Sequence, residues 1–375
     1  MIPVNTPDLS GNEKKYLAEC IETGWISSEG PFIPKFEAAM ASLTGRKHGV
    51  AVCNGSAALD VALQALQLQR GDEVILPAFT IISCIQCILR VGAVPVLVDA
   101  DPVTWNLDVT KIEEKITPRT RAIMAVHIYG LTVDMEPLLA LAARRGLRVI
   151  EDAAEAIGQT CRVAGPARPC GSFGDISTFS FYPNKHVTTG EGGMVMIDDD
   201  RLAARCRAIR NLCFGTGDER FHHEELGYNY RMCNLQAAVG CAQFERLAAT
   251  IRRKRAIGAQ YQAAFATLRT VELPCAATAY ADNIYWVFGL VLKDGVPFDA
   301  REAMHRLAAR GIGTRPFFWP LHEQPVLRRL GLFANDRHPV AERLARRGFY
   351  VPSGLGLADA EIDEVCRAVY DVLGK

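Results

Sequence analysis

The sequence carries no net charge: over 375 residues, 42 Lys and Arg stand against 42 Asp and Glu. That balance excludes a broad field for gathering DNA, RNA or anionic membrane, so any anionic ligand must be held by local donors. Long apolar runs are missing too. The most apolar region, Ile81 to Val98, is interrupted by Gln86, Arg90, Gly92 and Pro95 and cannot span a bilayer. The opening stretch MIPVNTPDLSGNEKK lacks a basic segment followed by an apolar one, so no secretion signal is expected and the default placement is cytoplasmic. No internal repeat, low-complexity tract or long linker is present. GxGxxG, HExxH, a P-loop and a Ser/His/Asp order are likewise absent, and the adjacent His222 and His223 cannot easily share one ion, so no metal site is expected. Cysteine is plentiful, at 12, but scattered, and a chain this long needs no disulfides to supplement its core. The one CxxC, Cys84 and Cys87, lies in IISCIQCILRV, an apolar helical pattern without a second pair at zinc spacing, and reads as core packing.

Hydrophobic residues at 49% and charged residues at 22% fit a globular chain, long enough for a large domain and a smaller one. In the first two thirds, the runs HGVAVC, DEVILP, VPVLVD, RAIMAVH, LRVIE, DISTFSF and GMVMI read as strands. Helical patterns such as SAALDVALQAL, MEPLLALAARRG and DDRLAARCRAIRN lie between several of them. The alternation predicts an α/β fold, a mainly parallel sheet with helices on both faces. A single long helical pattern spans 235–268. The strand NIYWVFGLVL, the helix opening at FDAREAMHRLAARG and the loop RPFFWPLHEQP follow, predicting a smaller α+β unit. The expected division is 1–247 and 248–375.

Ligands of open α/β sheets collect at the carboxyl ends of strands. Four segments fall there. In VAVCNGSAALDVAL, a strand and the Asn54-Gly55 turn precede a helix whose first amides, at Ser56 and Ala57, can cradle a phosphate, although Ser56 reads equally well as a helix cap. LRVIEDAAEAIG ends an apolar strand on Glu151 and Asp152, suited either to a structural ion pair or to facing a buried cation. FSFYPNKHVTTGEGGMVM sets Lys185 four residues past the strand end at Phe181, between stiff Pro183 and a glycine-rich turn. GYNYRMCN is a polar-aromatic loop whose Asn229 and Arg231 are either surface groups or donors to an anion.

Taken in order, these segments resemble the DegT/StrS family of pyridoxal-phosphate (PLP) sugar aminotransferases. The likeness is nearest to GDP-perosamine synthase-like members, which share the WISS start, the EDxAEA segment and the NK–TTGEGG core. It runs from GNEKKYLAECIETGWISSEG to TRPFFWPLH, nearly the whole chain. The resemblance implies an aspartate-aminotransferase-like fold (fold type I) and PLP, or its pyridoxamine form, as cofactor. Its substrates would be L-glutamate and a nucleotide-linked keto-sugar, a 4-keto-6-deoxyhexose, and its active sites would be shared across a homodimer. Lys185 would be the Schiff-base lysine and Asp152 would face the pyridine nitrogen. Gly55, Ser56, Ala57 and Ser180 would hold the phosphate, Asn229 would reach it from the partner subunit, and Glu155 would lie near the ring hydroxyl. His186, Arg231, Arg315 and His322 would be substrate contacts. The sequence departs from the family at Ile81, where an aromatic residue usually covers one face of the ring, and at Cys233, usually threonine. Relatives that dehydrate sugars carry histidine in place of the lysine, so the retained Lys185 favours aminotransfer. Two other readings share these residues: an aminotransferase for a keto-cyclitol or other non-nucleotide carbonyl compound, and a non-catalytic PLP-binding regulator.

A carboxylate about 4 Å from the ring nitrogen, at an effective dielectric near 20, contributes roughly 4 kcal/mol, enough to keep that nitrogen protonated at neutral pH. Lys185 can lose its proton and carry it; an arginine could not.

Overall fold

Strands form where β-branched runs can be covered on both faces, and the segments Val50–Val52, Val74–Leu76, Met124–Val126 and Met194–Ile197 are almost wholly buried. The computed structural model describes residues 1–374. Seven strands make one sheet, in the spatial order His48–Val52, Gly193–Ile197, Ile176–Ser180, Arg148–Asp152, Thr120–Val126, Glu73–Pro77 and Val94–Val98. The last five run parallel. Gly193–Ile197 is antiparallel to both neighbours. Helices Gly55–Ala65 and Ser83–Arg90 pack on one face, and Phe32–Thr44, Met135–Arg145 and Asn234–Phe244 on the other. The expected α/β layering is therefore present.

The antiparallel strand has a local consequence. Ser180 pairs with Gly193, so the intervening loop leaves the sheet and returns at the same edge, where the parallel strands end. Phe181 N–H donates to the Gly192 carbonyl (2.8 Å) and Thr189 N–H to the Phe181 carbonyl (2.9 Å), closing the base of that loop. Lys185 rides at its top.

A second sheet of four strands, Val271–Glu272, Phe288–Leu292, Gly348–Val351 and Arg315–Pro316, is antiparallel throughout. It shares a core with helices Leu247–Phe265, Ala300–Ala308 and Asp359–Leu373. The first residues of the chain pack here as well: Ile2 N–H donates to the Gly311 carbonyl (2.7 Å) and Gly313 N–H to the Ile2 carbonyl (2.8 Å). No helix among the described residues is long and apolar enough to cross a membrane.

Two expectations are corrected. The long helical pattern at 235–268 is two helices, Asn234–Phe244 and Leu247–Phe265. The break is held by the chain's start: Asn12 and Tyr16 donate to Glu245 (2.7 and 2.5 Å), and Arg246 pairs with Asp8 (2.6 Å). The run NIYWVFGLVL is strand only at Phe288–Leu292, because Tyr285 takes a left-handed backbone (φ 51°) and Asn283 Oδ1 accepts the Tyr285 N–H (2.6 Å). Residues 283–287 instead lie across the large sheet's strand ends, where the Ile284 N–H donates to the Gly130 carbonyl (3.2 Å).

Glu151 and Asp152 part company at the end of their strand. Glu151, fully buried, accepts from the N–H groups of Gly171 (2.6 Å) and Phe173 (2.9 Å), from the Ser177 hydroxyl (3.0 Å) and from His127 Nε2 (3.0 Å). Because His127 Nδ1 accepts the Val133 N–H (3.2 Å), the ring proton sits on Nε2 and is donated to Glu151. Burial alone would raise the Glu151 pKa; these donors more than offset it and hold the carboxylate below its usual range. Glu151→Ala strands these donors, and the Gly174 N–H that Glu151 also accepts (3.4 Å), in the interior and should cost about 3–5 kcal/mol in urea unfolding, with an unchanged slope. A loss under about 1 kcal/mol would show that the cluster does not anchor the strand.

Candidate active site

The parallel strand ends open onto a cavity of about 550 Å³, of a size suited to a cofactor with part of a substrate. Its floor carries Asp152 and Glu155, its side Lys185 and Ser180, and its far wall Trp286, Phe318 and Tyr350 from the C-terminal unit.

At one end lies the start of helix Gly55–Ala65. A Cβ on Gly55 would stand 2.7 Å from the Ser180 Cβ, so only glycine lets these two segments approach. The first amides, of Gly55 and Ser56, have no hydrogen-bond partner among the described residues. The Ser56 and Ser83 hydroxyls are paired at 2.8 Å, and both line the cavity with Ser180. Free amides at a helix start beside three hydroxyls make an anion cradle. Ala57 is corrected: its N–H is capped by Asn54 Oδ1 (2.8 Å) and is not available to a phosphate.

Asp152 is buried, its Oδ1 accepting the Ala154 N–H (3.0 Å) and its Oδ2 the Cys84 thiol (3.3 Å). Glu155 Oε2 accepts the Tyr129 N–H (2.8 Å), and its Oε1 lies 3.6 Å from Lys185 Nζ. Burial pushes both carboxyl pKa values up against the pull of Lys185. Burial pushes Lys185 down against the pull of Glu155 and Asp152. Two carboxyls thus face one amine in the sheltered part of the cavity, an arrangement that a second cation would favour. A protonated pyridine fits that role, and the cradle fits a phosphate. Lys185 Nζ also sits 3.7 Å from the centre of the Trp286 ring, within cation–π range.

Of the residues singled out from the sequence, Gly55, Ser56, Ile81, Asp152, Glu155, Ser180 and Lys185 line the cavity. Ile81 stands 46% exposed at its mouth. The others do not line it. Asn229 lies on an exposed loop bridged to Asn211, and Arg231 bonds Ser28 Oγ (3.1 Å) and Asn211. Arg315 is exposed, donating to its neighbour Thr314 (3.2 Å). His322 is buried beside Glu342 (3.1 Å), and His186 is buried next to Lys185. Sequence reasoning missed Trp286, Phe318, Tyr350, Tyr129 and Ser83. Only Ser83, in PAFTIISC, lies close enough to a chosen residue to have been found by local pattern.

A sequence model of the DegT/DnrJ/EryC1/StrS aminotransferase family matches residues 7–370. GDP-perosamine synthase of Caulobacter vibrioides is 43% identical over 376 residues, 99% of this chain and 98% of its own length. GDP-perosamine synthase of Escherichia coli O157:H7 is 40% identical over 368 residues, 98% of this chain and 97% of its own. The solved structure of DesI in the presence of its TDP-sugar product has a TM-score of 0.85 and 32% identity, covering 98% of this chain and 91% of that one.

The floor's electrostatics can be read from Lys185. Glu155 favours the charged amine, so Glu155→Gln should lower the Lys185 pKa further and let the empty protein react at lower pH. Reductive methylation across a pH series, resolved by peptide mass spectrometry, should show the Lys185 midpoint falling by about one unit or more. No shift, or a rise, would mean that the carboxylate does not act on the amine.

Proposed function

From the premise that the chain belongs to the DegT/DnrJ/EryC1/StrS aminotransferase family and is a PLP-dependent sugar aminotransferase, we propose that it moves an amino group from L-glutamate onto a GDP-linked 4-keto-6-deoxyhexose. The observation that carries this reading is the buried set Lys185, Glu155 and Asp152 beside a phosphate cradle in one cavity. Relatives named GDP-perosamine synthase over almost the whole chain favour it above a keto-cyclitol substrate or a non-catalytic binder. DesI supplies the second reading, a TDP-linked sugar.

When bound, PLP supplies an aldehyde carbon and an electron-withdrawing ring. The protein's part is proton control and placement. Lys185, its pKa lowered by burial, would present a lone pair as the point of attachment for the cofactor and could hold and pass on a proton at Nζ. Glu155, 3.6 Å from Nζ, gives and takes that proton. Asp152, held by Ala154 and Cys84, would face the ring nitrogen and favour its protonated form. The Gly55 and Ser56 amides with the Ser56, Ser83 and Ser180 hydroxyls would hold the phosphate, and the aromatic wall would shield the site from water.

Asn229, exposed and outside the cavity of its own protomer, completes the phosphate site of a second copy in a homodimer. Exposed Phe221 (74%) and Leu226 (89%) beside it support an interface on that side. The twelve cysteines, all free, suit the reducing cytoplasm.

Lys185→Ala should lose about 10³-fold or more in turnover. It should also lose the cofactor–lysine adduct that borohydride reduction fixes to the Lys185 peptide; normal transamination by that variant would end the proposal. A panel of GDP-, TDP- and UDP-linked keto-sugars should give the highest kcat/KM with the GDP-linked 4-keto-6-deoxyhexose. Co-expressing Lys185→Ala and Asn229→Ala subunits should restore part of the activity, and full activity in a monomer by sedimentation would contradict shared sites.

A further inference from the structure

A second, much smaller cavity of about 10 Å³ touches the first, sharing Asn184 and Lys185 as lining residues. Its other walls include His186, Lys254, Gln243 and Asp8. Three buried polar atoms around it have no partner among the described residues: Asn184 Oδ1 and both ring nitrogens of His186, a side chain only 2% exposed.

Lys254, on helix Leu247–Phe265, is 4% exposed and has no ion-pair partner among the described residues. The one carboxylate lining the cavity, Asp8, is held by Arg246 (2.6 Å). Lys254 Nζ instead donates to two main-chain carbonyls, of Trp286 (2.7 Å) and Ser353 (2.6 Å). Trp286 in turn donates its Nε1–H to the Asn184 carbonyl (2.8 Å) and lays its ring 3.7 Å from Lys185 Nζ.

We propose that this cavity binds a single water molecule that joins His186, Asn184 and Lys254 into one polar wall, and that the wall positions the Lys185 amine through Trp286. The volume matches about one probe sphere, and one water needs two to four polar partners, which these three side chains supply. Buried without an anion, Lys254 has its pKa brought down to about 7, and burial, helped by nearby Lys254 and Lys185 against a weak main-chain acceptor at Ile284, keeps His186 neutral. A protonated Lys254 has a third N–H for the water to accept; a neutral one has a lone pair for the water to donate to. Either way both carbonyl bonds survive. Asn184 and His186 flank Lys185 in the chain, so anchoring both fixes its main chain, while Trp286 seats its amine. The proposal rests on the reading of Lys185 as the reacting lysine, and adds Lys254 and His186 as positioning residues that meet neither substrate nor cofactor.

The test uses the holoenzyme and the cofactor-free protein. Lys254→Met keeps the side chain's length but loses both carbonyl bonds and the water. It should lower kcat about 10- to 100-fold with KM for both substrates within about twofold. In the empty protein it should speed reductive methylation of Lys185 by about threefold or more, as the amine leaves its seat. His186→Leu should act in the same direction, whereas His186→Gln, which keeps a donor and an acceptor, should retain the parent values. If Lys254→Met does not fold, the histidine pair carries the test. A crystal structure of the parent should show one water bonded to His186, Asn184 Oδ1 and Lys254. A dry cavity, or folded His186→Leu with parental kcat and labelling, overturns the proposal. Activity persisting in Lys185→Ala would overturn the functional reading instead, and would leave the water and the labelling rates to be judged separately.

Discussion

Two carboxyl groups and a single amine share the floor of the cavity, and most of the surrounding structure serves to keep them there. Each unit of pKa displacement corresponds to about 1.4 kcal/mol, so raising Asp152 and Glu155 while lowering Lys185 makes the empty floor a destabilised arrangement. A bound cation relieves it. A ring whose nitrogen carries a proton would be drawn to this floor by the same imbalance that would keep the proton in place, so on the proposed reading binding and electronic activation have one origin.

Such a floor holds only if the elements beneath it cannot rearrange. Glu151 has every oxygen engaged, ties the strand bearing Asp152 to the 171–177 segment and fixes the tautomer of His127. Tyr129 adopts a left-handed backbone (φ 56°), unusual for a bulky residue, and from it gives its N–H to Glu155 while its ring stacks on Phe318 at 5.4 Å. One residue therefore binds the floor to the aromatic wall. That wall belongs to the C-terminal unit, so the cavity exists only while the two sheets stay in contact.

The sheet was legible because buried parallel strands must be apolar, β-branched and short, and helices must separate them. The break at Glu245 was not: its cause lies at Asp8, Asn12 and Tyr16, more than 200 residues earlier. The strand in NIYWVFGLVL was read too long because hydrophobic periodicity cannot reveal that Tyr285 turns left-handed against Gly130. In the site, Asp152, Ser180 and Lys185 were legible as residues at strand ends in an ordered set of segments. Ala57 was misread because an asparagine cap and a phosphate compete for the same amide, and the cap won. Trp286 left no local signal, since its importance comes wholly from where the chain carries it.

The chain buries two lysines a short way apart and treats them oppositely, and the contrast shows what makes one of them chemical. The protein partners of Lys254 are carbonyl oxygens, which accept hydrogen bonds but cannot take a proton at any working pH. It can fasten the two main-chain segments it touches and hold its neighbours in place, but it takes no part in proton transfer. Lys185 meets a carboxylate whose own affinity for a proton has been raised, together with an aromatic face that tolerates the charged amine without binding it in a fixed direction. The proton on Lys185 therefore has an acceptor within reach. Burial alone depresses a lysine's pKa; it is the matched acceptor beside it that turns a depressed pKa into proton transfer.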